Sequence, residues 1–512
     1  MTSQPRRTPA EVEALTSWND PWSGLRVVVL GLGSTGFSVA DTLVELGADV
    51  LVLAGNADPE RADLLEVIGA RLVVADLAAL DPALGDIGGP PELVIVSPGF
   101  APSHPLVSSF VATGVPVWGD VELAWRVRDK TGAPAEWFAV TGTNGKTTTV
   151  QLAAAMMVAG GVRAIACGNV GLPVLDAVRD PNGYDALVVE LSSFQLHYTD
   201  SVSPHSSVCL NVAADHLDWH GSADAYAVAK AKVYTNTRFA CLFNRDDPAT
   251  RTMVEDAEVV EGCRAIGFGV EVPGPSDFGI VGDFLCERAF IDDRHSSALE
   301  LTTVEALEAA GLGATHMISN VLAAAALARS FGVSPEAIRS ALDVFRLDHH
   351  RTEQVAVSGD IRFIDDSKAT NPHAAEAALG SYDSVVWIVG GLLKGVDLGD
   401  LVSRARKRIR AAVVIGTDRT EVLAAFARHA PELPVFEVTA TDTDQVMPTA
   451  VRLAVAAALP GDVVLLAPAA ASMDQFENYA DRGGRFATAV HNMLGDRPDD
   501  HEHPAPRAPG GA

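Results

Sequence analysis

The segment TGTNGKTT, residues 141–148, combines residue types that bind nucleotide phosphates. It follows the apolar stretch EWFAV and precedes a stretch that predicts a helix running to Gly160. Glycines let backbone amides surround phosphate oxygens, Lys146 can neutralise terminal phosphates, and the hydroxyl of Thr147 can bind Mg²⁺. Two residues separate the glycines instead of the usual four. A coincidental glycine-rich turn is the alternative, but ATP or GTP binding is the strongest inference from the residues alone.

Two more side chains follow predicted strands. Glu190 ends the stretch ALVVE, and His216 comes shortly after SVCLNV. A carboxylate beside the phosphate strand lies where the metal of a nucleotide would be, but a solvated acid and an ordinary loop histidine remain alternatives. Tyr226, Lys230 and Tyr234 follow at helical spacing on one predicted face. A lysine on such a face is usually solvated, so spacing alone does not make Lys230 a site residue.

A second glycine motif, GLGSTG at residues 31–36, follows the apolar stretch RVVVL. It predicts either a tight strand-to-helix turn or an anion site at a helix N-terminus. A dinucleotide site would need an acidic residue about 20 positions later, where this chain has Ala54, Gly55 and Asn56. A dehydrogenase is therefore disfavoured, and a different diphosphate, such as a nucleotide sugar, remains possible.

Apolar stretches alternate with Ala- and Leu-rich helical stretches along most of the chain, which predicts α/β layers around mostly parallel sheets. Nine stretches predict strands: RVVVLG, ADVLVLAG, ELVIVSPG, EWFAVTG, ALVVELS, SSVCLNV, SVVWIVGG, AAVVIGT and DVVLLAP. Polar breaks at residues 129–134 and 347–352 suggest three domains, residues 21–133, 134–346 and 347–495. Both tails, residues 1–20 and 496–512, are Pro-rich, charged or poor in large apolar side chains, and we expect them to be disordered.

The 512 residues include 38 Lys and Arg against 66 Asp and Glu, a formal charge of −28. This charge repels polyanions and argues against nucleic acid or an anionic membrane as a partner. The apolar run 152–162 is too short to span a bilayer, and the N-terminus does not resemble a signal peptide. Five cysteines without a close pair in sequence indicate reduced thiols and a cytoplasmic protein.

Taken together, these motifs resemble the Mur ligase family, from about Gly24 to about Met493. Within the family, the chain is most similar to the enzymes that add D-glutamate. The resemblance rests on TGTNGKTT together with GNVGLP (168–173), ELSSFQL (190–196), NVAADHLDWH (211–220), DDSKATN (365–371), GGLLKG (390–395) and PAAASMDQFENYADRG (468–483). It implies a Rossmann-like N-terminal domain for a UDP substrate, a central P-loop ATPase-type domain and a Rossmann-like C-terminal domain for the amino acid.

The implied activity is ATP-dependent addition of D-glutamate to UDP-N-acetylmuramoyl-L-alanine through an acyl phosphate, a step in peptidoglycan synthesis. The family match implies four catalytic residues, Lys146, Glu190, His216 and Lys230. The implied ATP contacts are Gly142, Thr143, Asn144, Gly145, Lys146, Thr147, Thr148, Asn320, Arg351 and Asp366. Two Mg²⁺ sites would use Thr147, Glu190, His216 and Lys230, the last as a carbamate formed with CO2. The UDP substrate would contact Ser34, Thr35, Gly36, Gly99, Asn169 and His216, and D-glutamate would contact Lys368, Thr370, Lys394, Ser472 and Tyr479.

We expect a monomer in which the C-terminal domain closes, with a hinge near residues 347–352. Two alternatives remain at this point. One is a ligase like folylpolyglutamate synthase, with the same activation chemistry and a different acceptor. The other is a P-loop ATPase switch, in which hydrolysis drives a partner interaction. The anion loop of the first domain, together with Lys368 and Lys394, favours a two-substrate ligase.

Overall fold

A computed structural model of the protein describes residues 6–77 and 90–495. The chain divides into two compact units, residues 1–346 and residues 347–512. The tail predicted to be disordered at 496–512, and the first five residues of the tail predicted at 1–20, lie outside the described residues. Within the described ranges, each helix is too short or too polar to cross a lipid bilayer.

The first unit begins with a five-stranded parallel sheet in the order β3-β2-β1-β4-β5. Its strands are β1 Arg26–Leu30, β2 Asp49–Ala54, β3 Arg71–Val74, β4 Leu93–Val96 and β5 Val117–Gly119. Its helices are α1 Pro9–Glu13, α2 Ser34–Glu45, α3 Pro59–Ile68, α4 Pro105–Ala112 and α5 Asp120–Arg126. The glycine motif joins β1 to α2. The strand order reverses at β1, and the carboxyl end of the strand at such a point is the usual position of a ligand site in these sheets.

A second sheet of nine strands follows, in the order β14-β13-β12-β11-β10-β9-β6-β8-β7. Its strands are β6 Glu136–Thr141, β7 Ala164–Gly168, β8 Ala186–Glu190, β9 Ser206–Cys209, β10 Ala240–Asn244, β11 Arg264–Phe268, β12 Asp277–Val281, β13 Phe284–Glu287 and β14 Leu299–Thr303. Its helices are α6 Lys146–Ala159, α7 Val174–Arg179, α8 Ser193–His197, α9 Leu217–His220, α10 Ala223–Ala231, α11 Pro248–Glu255, α12 Val304–Ala309, α13 Thr315–Ser330 and α14 Pro335–Val344. Only the β12-β13 and β13-β14 pairs of this sheet are antiparallel.

The second unit contains a six-stranded sheet in the order β15-β16-β20-β17-β18-β19, parallel except for the β15-β16 pair. Its strands are β15 Glu353–Ser358, β16 Ile361–Asp365, β17 Val385–Gly390, β18 Ile409–Ile415, β19 Val435–Glu437 and β20 Val463–Leu466. Its helices are α15 Pro372–Gly380, α16 Gly399–Ala405, α17 Thr420–His429, α18 Thr443–Ala457 and α19 Tyr479–Leu494. A hydrophobic core covers each face of the sheet, with Trp387 on one side and Ile388 on the other.

The α/β class is confirmed, and all nine predicted strands form, as β1, β2, β4, β6, β8, β9, β17, β18 and β20. These strands are interior or near-interior strands of parallel sheets, and burial on both faces makes their sequences continuously apolar. The antiparallel strands β13 and β14 were not predicted from the sequence. Both strands are short and mix polar with apolar residues, FLCE in β13 and LELTT in β14, so neither forms a continuous apolar run in the sequence.

The prediction of a disordered N-terminal tail is wrong for residues 6–20. Helix α1 begins with a capping box between Thr8 and Glu11, and Val12 and Leu15 are buried. The guanidinium of Arg126 donates a hydrogen bond of 2.7 Å to the carbonyl oxygen of Glu13. The segment contains few large apolar residues, but Val12 and Leu15 are buried and Trp18 is partly buried. Composition alone could not indicate these contacts.

Candidate active site

The phosphate loop lies at the carboxyl end of β6, which pairs with β8 on one side and β9 on the other. Helix α6 begins at Lys146, directly after Gly145 in the left-handed conformation (φ 85°). The ammonium of Lys146 donates to the carbonyl oxygens of Gly142 (2.9 Å) and Thr143 (3.0 Å). A Cβ on Gly145 would lie 2.4 Å from Oδ1 of Asn320, so the predicted nucleotide residue Asn320 packs against the loop itself. Thr147 and Thr148 are buried in the first turn of α6.

Asn211, which was not among the predicted site residues, holds the phosphate loop in place. Its Oδ1 accepts a hydrogen bond from the backbone N–H of Asn144 (2.9 Å), and its Nδ2 donates to the carbonyl oxygen of Asn144 (3.1 Å). Its own carbonyl oxygen accepts from the backbone N–H of Thr143 (3.0 Å). Asn211 begins the segment NVAADH after β9, and only the pairing of β9 with β6 brings it to the loop.

Glu190 ends β8 and is 1% exposed. Its Oε1 accepts a hydrogen bond from Nδ2 of Asn169 at 3.1 Å, whereas its Oε2 is buried without a hydrogen-bond partner among the described residues. A buried carboxylate oxygen without a partner is costly unless a cation or water satisfies it. The donor set at this edge therefore fits a hard divalent cation such as Mg²⁺. Asn169, predicted to contact the UDP substrate, is in contact with this carboxylate.

Lys230 is buried in α10 and is 2% exposed, so the expectation that spacing favours a solvated lysine is wrong. Its ammonium donates to the carbonyl oxygen of Gly142 at 2.8 Å and lies 4.7 Å from the ring centre of Tyr226. Desolvation, helped by the nearby charge of Lys146, lowers the pKa of Lys230 to about 7. Tyr234 is not on the same α-helix, because α10 ends at Ala231 and a 3-10 turn follows.

His216 lies in the loop between β9 and α9, in the left-handed conformation (φ 53°). Its Nε2 is 3.6 Å from Oδ2 of Asp215, and its ring centre is 4.7 Å from that of Phe194. Asp215 is buried, and its charge, like that of Glu190, opposes the lowering of the Lys230 pKa. The carboxyl edge around β6 thus contains three predicted metal or catalytic residues, Glu190, His216 and Lys230. Asp215 is an acidic neighbour that was not predicted.

The first glycine loop is closely packed. A Cβ on Gly36 would lie 2.1 Å from the carbonyl oxygen of Gly31, whereas a Cβ on Gly33 would have no atom within 4 Å. Ser34 and Thr35 open α2, with Gly33 as the N-cap residue. The hydroxyl of Ser97, after β4, is buried beside the loop without a hydrogen-bond partner among the described residues. Ser97 was not predicted to be a site residue, although it stands two positions before the predicted Gly99.

In the second unit, the loops after β16, β17 and β20 meet at the carboxyl edge of the sheet. The backbones of Leu392 and Ala471 exchange two hydrogen bonds (2.9 and 3.0 Å), which join the loop of Lys394 to that of Ser472. The carbonyl oxygen of Ala369 accepts from the backbone N–H of Ala469, which brings in the segment of Lys368 and Thr370. The Lys368 ammonium lies 3.7 Å from the ring centre of Tyr479. Four residues predicted to contact D-glutamate therefore lie on loops that share one edge, namely Lys368, Thr370, Lys394 and Ser472, and the fifth, Tyr479, is the first residue of α19.

Arg351 and Asp366, the two predicted ATP contacts of this unit, are also neighbours. The backbone N–H of Thr352 donates to Oδ1 of Asp366 at 3.1 Å. Desolvation raises the pKa of Asp366 to about 7, although the charge of Arg351 opposes the shift. Next to them, Nδ1 of His350 lies 2.7 Å from Oδ2 of the buried Asp365, and this hydrogen bond raises the pKa of His350.

Three family models match the chain. They are the Mur ligase MurD-like N-terminal domain over residues 25–119, the Mur ligase middle domain over residues 140–328 and the Mur ligase glutamate ligase domain over residues 350–470. The matched regions contain the first glycine loop, the phosphate loop with Glu190 and Lys230, and the loops of Lys368 and Lys394, respectively.

Curated relatives are similar over nearly the whole chain. The UDP-N-acetylmuramoylalanine–D-glutamate ligase of Leifsonia xyli subsp. xyli is 62% identical over 499 residues, which are 95% of this chain and 96% of the relative. The enzyme of the same name from Streptomyces avermitilis is 49% identical over 477 residues, which are 92% of this chain and 99% of the relative.

Solved structures with the same fold are more distant in sequence. The UDP-N-acetylmuramate-alanine ligase of Thermotoga maritima has a TM-score of 0.54 at 19% identity and covers 92% of this chain and 100% of its own. The MurF ligase of Thermotoga maritima in complex with ADP has a TM-score of 0.53 at 16% identity and covers 92% of this chain and 96% of its own. At these identities, the similarity concerns the fold alone.

Proposed function

The chain belongs to the Mur ligase family, and we propose from this membership that it joins D-glutamate to UDP-N-acetylmuramoyl-L-alanine with ATP. One observation carries the chemistry. At the edge around β6, the phosphate loop, the buried carboxylate of Glu190, one oxygen of which has no hydrogen-bond partner in the described part of the chain, and the buried ammonium of Lys230 come together. This combination suits metal-assisted transfer of a phosphoryl group in a site that excludes water.

The reaction needs activation because a carboxylate is a poor electrophile. A carboxylate oxygen of the UDP substrate attacks the γ-phosphorus of ATP, the bond to ADP breaks, and an acyl phosphate forms. The amine of D-glutamate then attacks the carbonyl carbon, phosphate leaves, and the amide forms. Lys146 offsets negative charge on the phosphoryl group during transfer. The predicted ATP contacts are residues 142–148 of the phosphate loop, which include Lys146, together with Asn320, Arg351 and Asp366.

The residues that would hold two Mg²⁺ ions are Thr147, Glu190, His216 and Lys230 as a carbamate. When bound, Mg²⁺ supplies charge neutralisation and Lewis acidity. The carbamate proposal is supported by the low pKa of Lys230, because only a neutral amine attacks CO2 and a pKa near 7 leaves much of it neutral. The ammonium first loses one proton, and formation of the N–C bond with CO2 releases a second, so a buried cation would become a carboxylate-like ligand suited to Mg²⁺.

The proposed substrate contacts come from the match to the family. For the UDP substrate we propose Ser34, Thr35, Gly36, Gly99, Asn169 and His216, with the first glycine loop around the diphosphate. For D-glutamate we propose Lys368, Thr370, Lys394, Ser472 and Tyr479. Two lysines in this set match the two carboxylates of glutamate. We further propose a monomer that acts in the cytoplasm without nucleic acid or membrane partners, in keeping with the charge of −28 and five free thiols.

A coupled phosphate-release assay tests the function. With ATP and Mg²⁺ present, phosphate release is expected only when UDP-N-acetylmuramoyl-L-alanine and D-glutamate are both supplied, with a product that is heavier by one glutamyl residue. L-glutamate and D-alanine serve as matched amino acid controls. Release that is independent of both substrates would favour an ATPase switch, and glutamate addition to a folate acceptor would favour the folylpolyglutamate type of ligase.

A further inference from the structure

Two cysteines that are not among the candidate catalytic residues meet in the central sheet. Cys241 is buried in β10, and Cys263 comes directly before β11. Their Sγ atoms are 3.7 Å apart. The strand register explains this contact, because Cys241 lies opposite Ala265, and residues 263 and 265 point to the same face of the sheet.

The pair is asymmetric in its exposure to solvent. Cys263 is half-buried and follows the exposed turn residues Glu261 and Gly262, so it is the more accessible of the two cysteines to a small reagent. Cys241 is 2% exposed and lies 3.8 Å from the hydroxyl of Ser207. A hydrogen bond from the Cys241 thiol lowers the pKa of Cys263, which makes Cys263 the more reactive of the two thiols.

We propose that Cys241 and Cys263 form a thiol modification site, in which a low-molecular-weight disulfide oxidises the pair to an internal disulfide. The Cys263 thiolate attacks one sulfur of the reagent disulfide, and one reagent thiolate leaves. Cys241 then attacks Sγ of Cys263, and the second reagent thiolate leaves with the proton of Cys241. In total, two protein thiols are oxidised by two electrons, and the reagent disulfide is reduced to two thiols.

The surroundings of Cys263 indicate which reagents react fastest. Four exposed acidic residues, Glu255, Asp256, Glu258 and Glu261, precede it within eight residues. They outnumber the two arginines of this stretch, Arg251, which pairs with Glu255, and Arg264. The net negative charge attracts cations, so a cationic disulfide such as cystamine is expected to react faster at low salt than the anionic oxidised glutathione. A thiol reductant reverses the reaction, which suits a transient modification in a reducing compartment.

Trypsin digestion provides a direct test on the full-length protein. Cleavage after arginine places Cys241 in the peptide 239–245 and Cys263 in the peptide 252–264, with one cysteine each. After treatment with cystamine, we expect these two peptides to appear joined, and thiol titration of the denatured protein to fall from five to three. Dithiothreitol should restore all five.

Variants separate the pair from the other thiols. Cys263→Ser and Cys241→Ser should each abolish the joined peptides, whereas Cys286→Ser, which removes a thiol outside the pair, should leave them unchanged. A Cys263–cysteamine mixed disulfide that never resolves onto Cys241 would overturn the proposal. The proposal would also be overturned if the folded protein gave no joined peptides under conditions in which cystamine oxidises the unfolded chain. Because the readout is a mass, the result does not depend on the ligase activity.

Discussion

Lys230 shows how the protein environment changes the chemistry of one side chain. A lysine in water is protonated at pH 7, but burial and the neighbouring charge of Lys146 lower its pKa to about 7. Its Nζ still reaches the carbonyl oxygen of Gly142 in the phosphate loop. The same burial that disfavours the ammonium favours the neutral amine, which is the form that the proposed reaction with CO2 requires.

The first prediction concerns the pH dependence of this reaction. At a fixed concentration of dissolved CO2, carbamate occupancy should rise as the pH increases from 6 through 8, because deprotonation of Lys230 occurs near pH 7. ¹³C NMR of protein equilibrated with ¹³CO2 measures the occupancy. An occupancy that falls over this range, or a signal that persists in Lys230→Ala, would contradict the assignment.

A second prediction concerns the activity of Lys230→Ala. Loss of a metal ligand should lower the rate of phosphate release about 10- to 100-fold, and a short carboxylic acid should restore part of it by occupying the vacated position. Lys232→Ala is the matched control, since Lys232 is the next lysine along the chain and its ammonium bonds the carbonyl oxygens of His197 and Thr199 instead. Full activity of unsupplemented Lys230→Ala would rule out the carbamate role.

Asn211 leads to a third prediction, because it makes two side-chain hydrogen bonds to Asn144 of the phosphate loop. Asn211→Ala removes both, at roughly 1 kcal/mol each, so the KM for ATP should increase by up to about 30-fold. The KM for the UDP substrate should stay unchanged. Asn244→Ala is a suitable control, since Asn244 bonds the nearby carbonyl oxygen of Leu210 but not the loop. Equal effects on both KM values would indicate general damage to the fold.

At the scale of elements, each group of predicted site residues lies where the loops of adjacent parallel strands meet. The phosphate loop follows β6, Glu190 ends β8 and Asp215 follows β9, and these three strands are neighbours in the sheet. In the second unit, the loops of Lys368, Lys394 and Ser472 follow β16, β17 and β20, with β20 in the middle. The carboxyl ends of parallel strands share an edge, so residues far apart in sequence come together there.

The turn between β1 and α2 provides a fourth prediction. Gly36→Ala places a Cβ 2.1 Å from the carbonyl oxygen of Gly31, and the backbone must shift at a cost of about 1–3 kcal/mol. Gly33→Ala meets no atom within 4 Å and should fold as well as the parent protein. Thermal unfolding of the two variants measures the difference. Equal melting temperatures would show that the turn is more adaptable than its packing suggests.

At the scale of the whole molecule, the first two family domains share one compact unit. A continuous hydrophobic core includes Val29 of the first sheet and Trp137 and Cys209 of the second. Ion pairs from Arg179 in α7 to Asp41 and Glu45 in α2 add polar contacts between them. The glycine loop at the start of α2 is thereby fixed relative to the central sheet.

The fifth prediction follows from the net charge of −28. At neutral pH the negative charges repel one another. In 0.1 M salt the repulsion between exposed charges more than about 10 Å apart is largely screened. Raising KCl from 10 to 200 mM, two values chosen on the scale of this screening, should therefore increase the melting temperature at pH 7.5. The increase should nearly disappear at pH 5, close to the sequence pI of about 4.8. A salt effect of equal size at both pH values would point to ion binding rather than screening.

The sequence by itself determined the α/β class, the nine buried strands, the phosphate loop and the family. These features depend on local apolar runs and on residue types at short spacing, which are visible without the fold. Only the tertiary structure decided that Lys230 is buried, that Glu190 has an oxygen without a partner among the described residues, and that Asn211 holds the loop. It also revealed the ordered N-terminal segment and the contact between Cys241 and Cys263. Burial and pairing arise from strands that are distant in sequence, and no local pattern records which strands become neighbours.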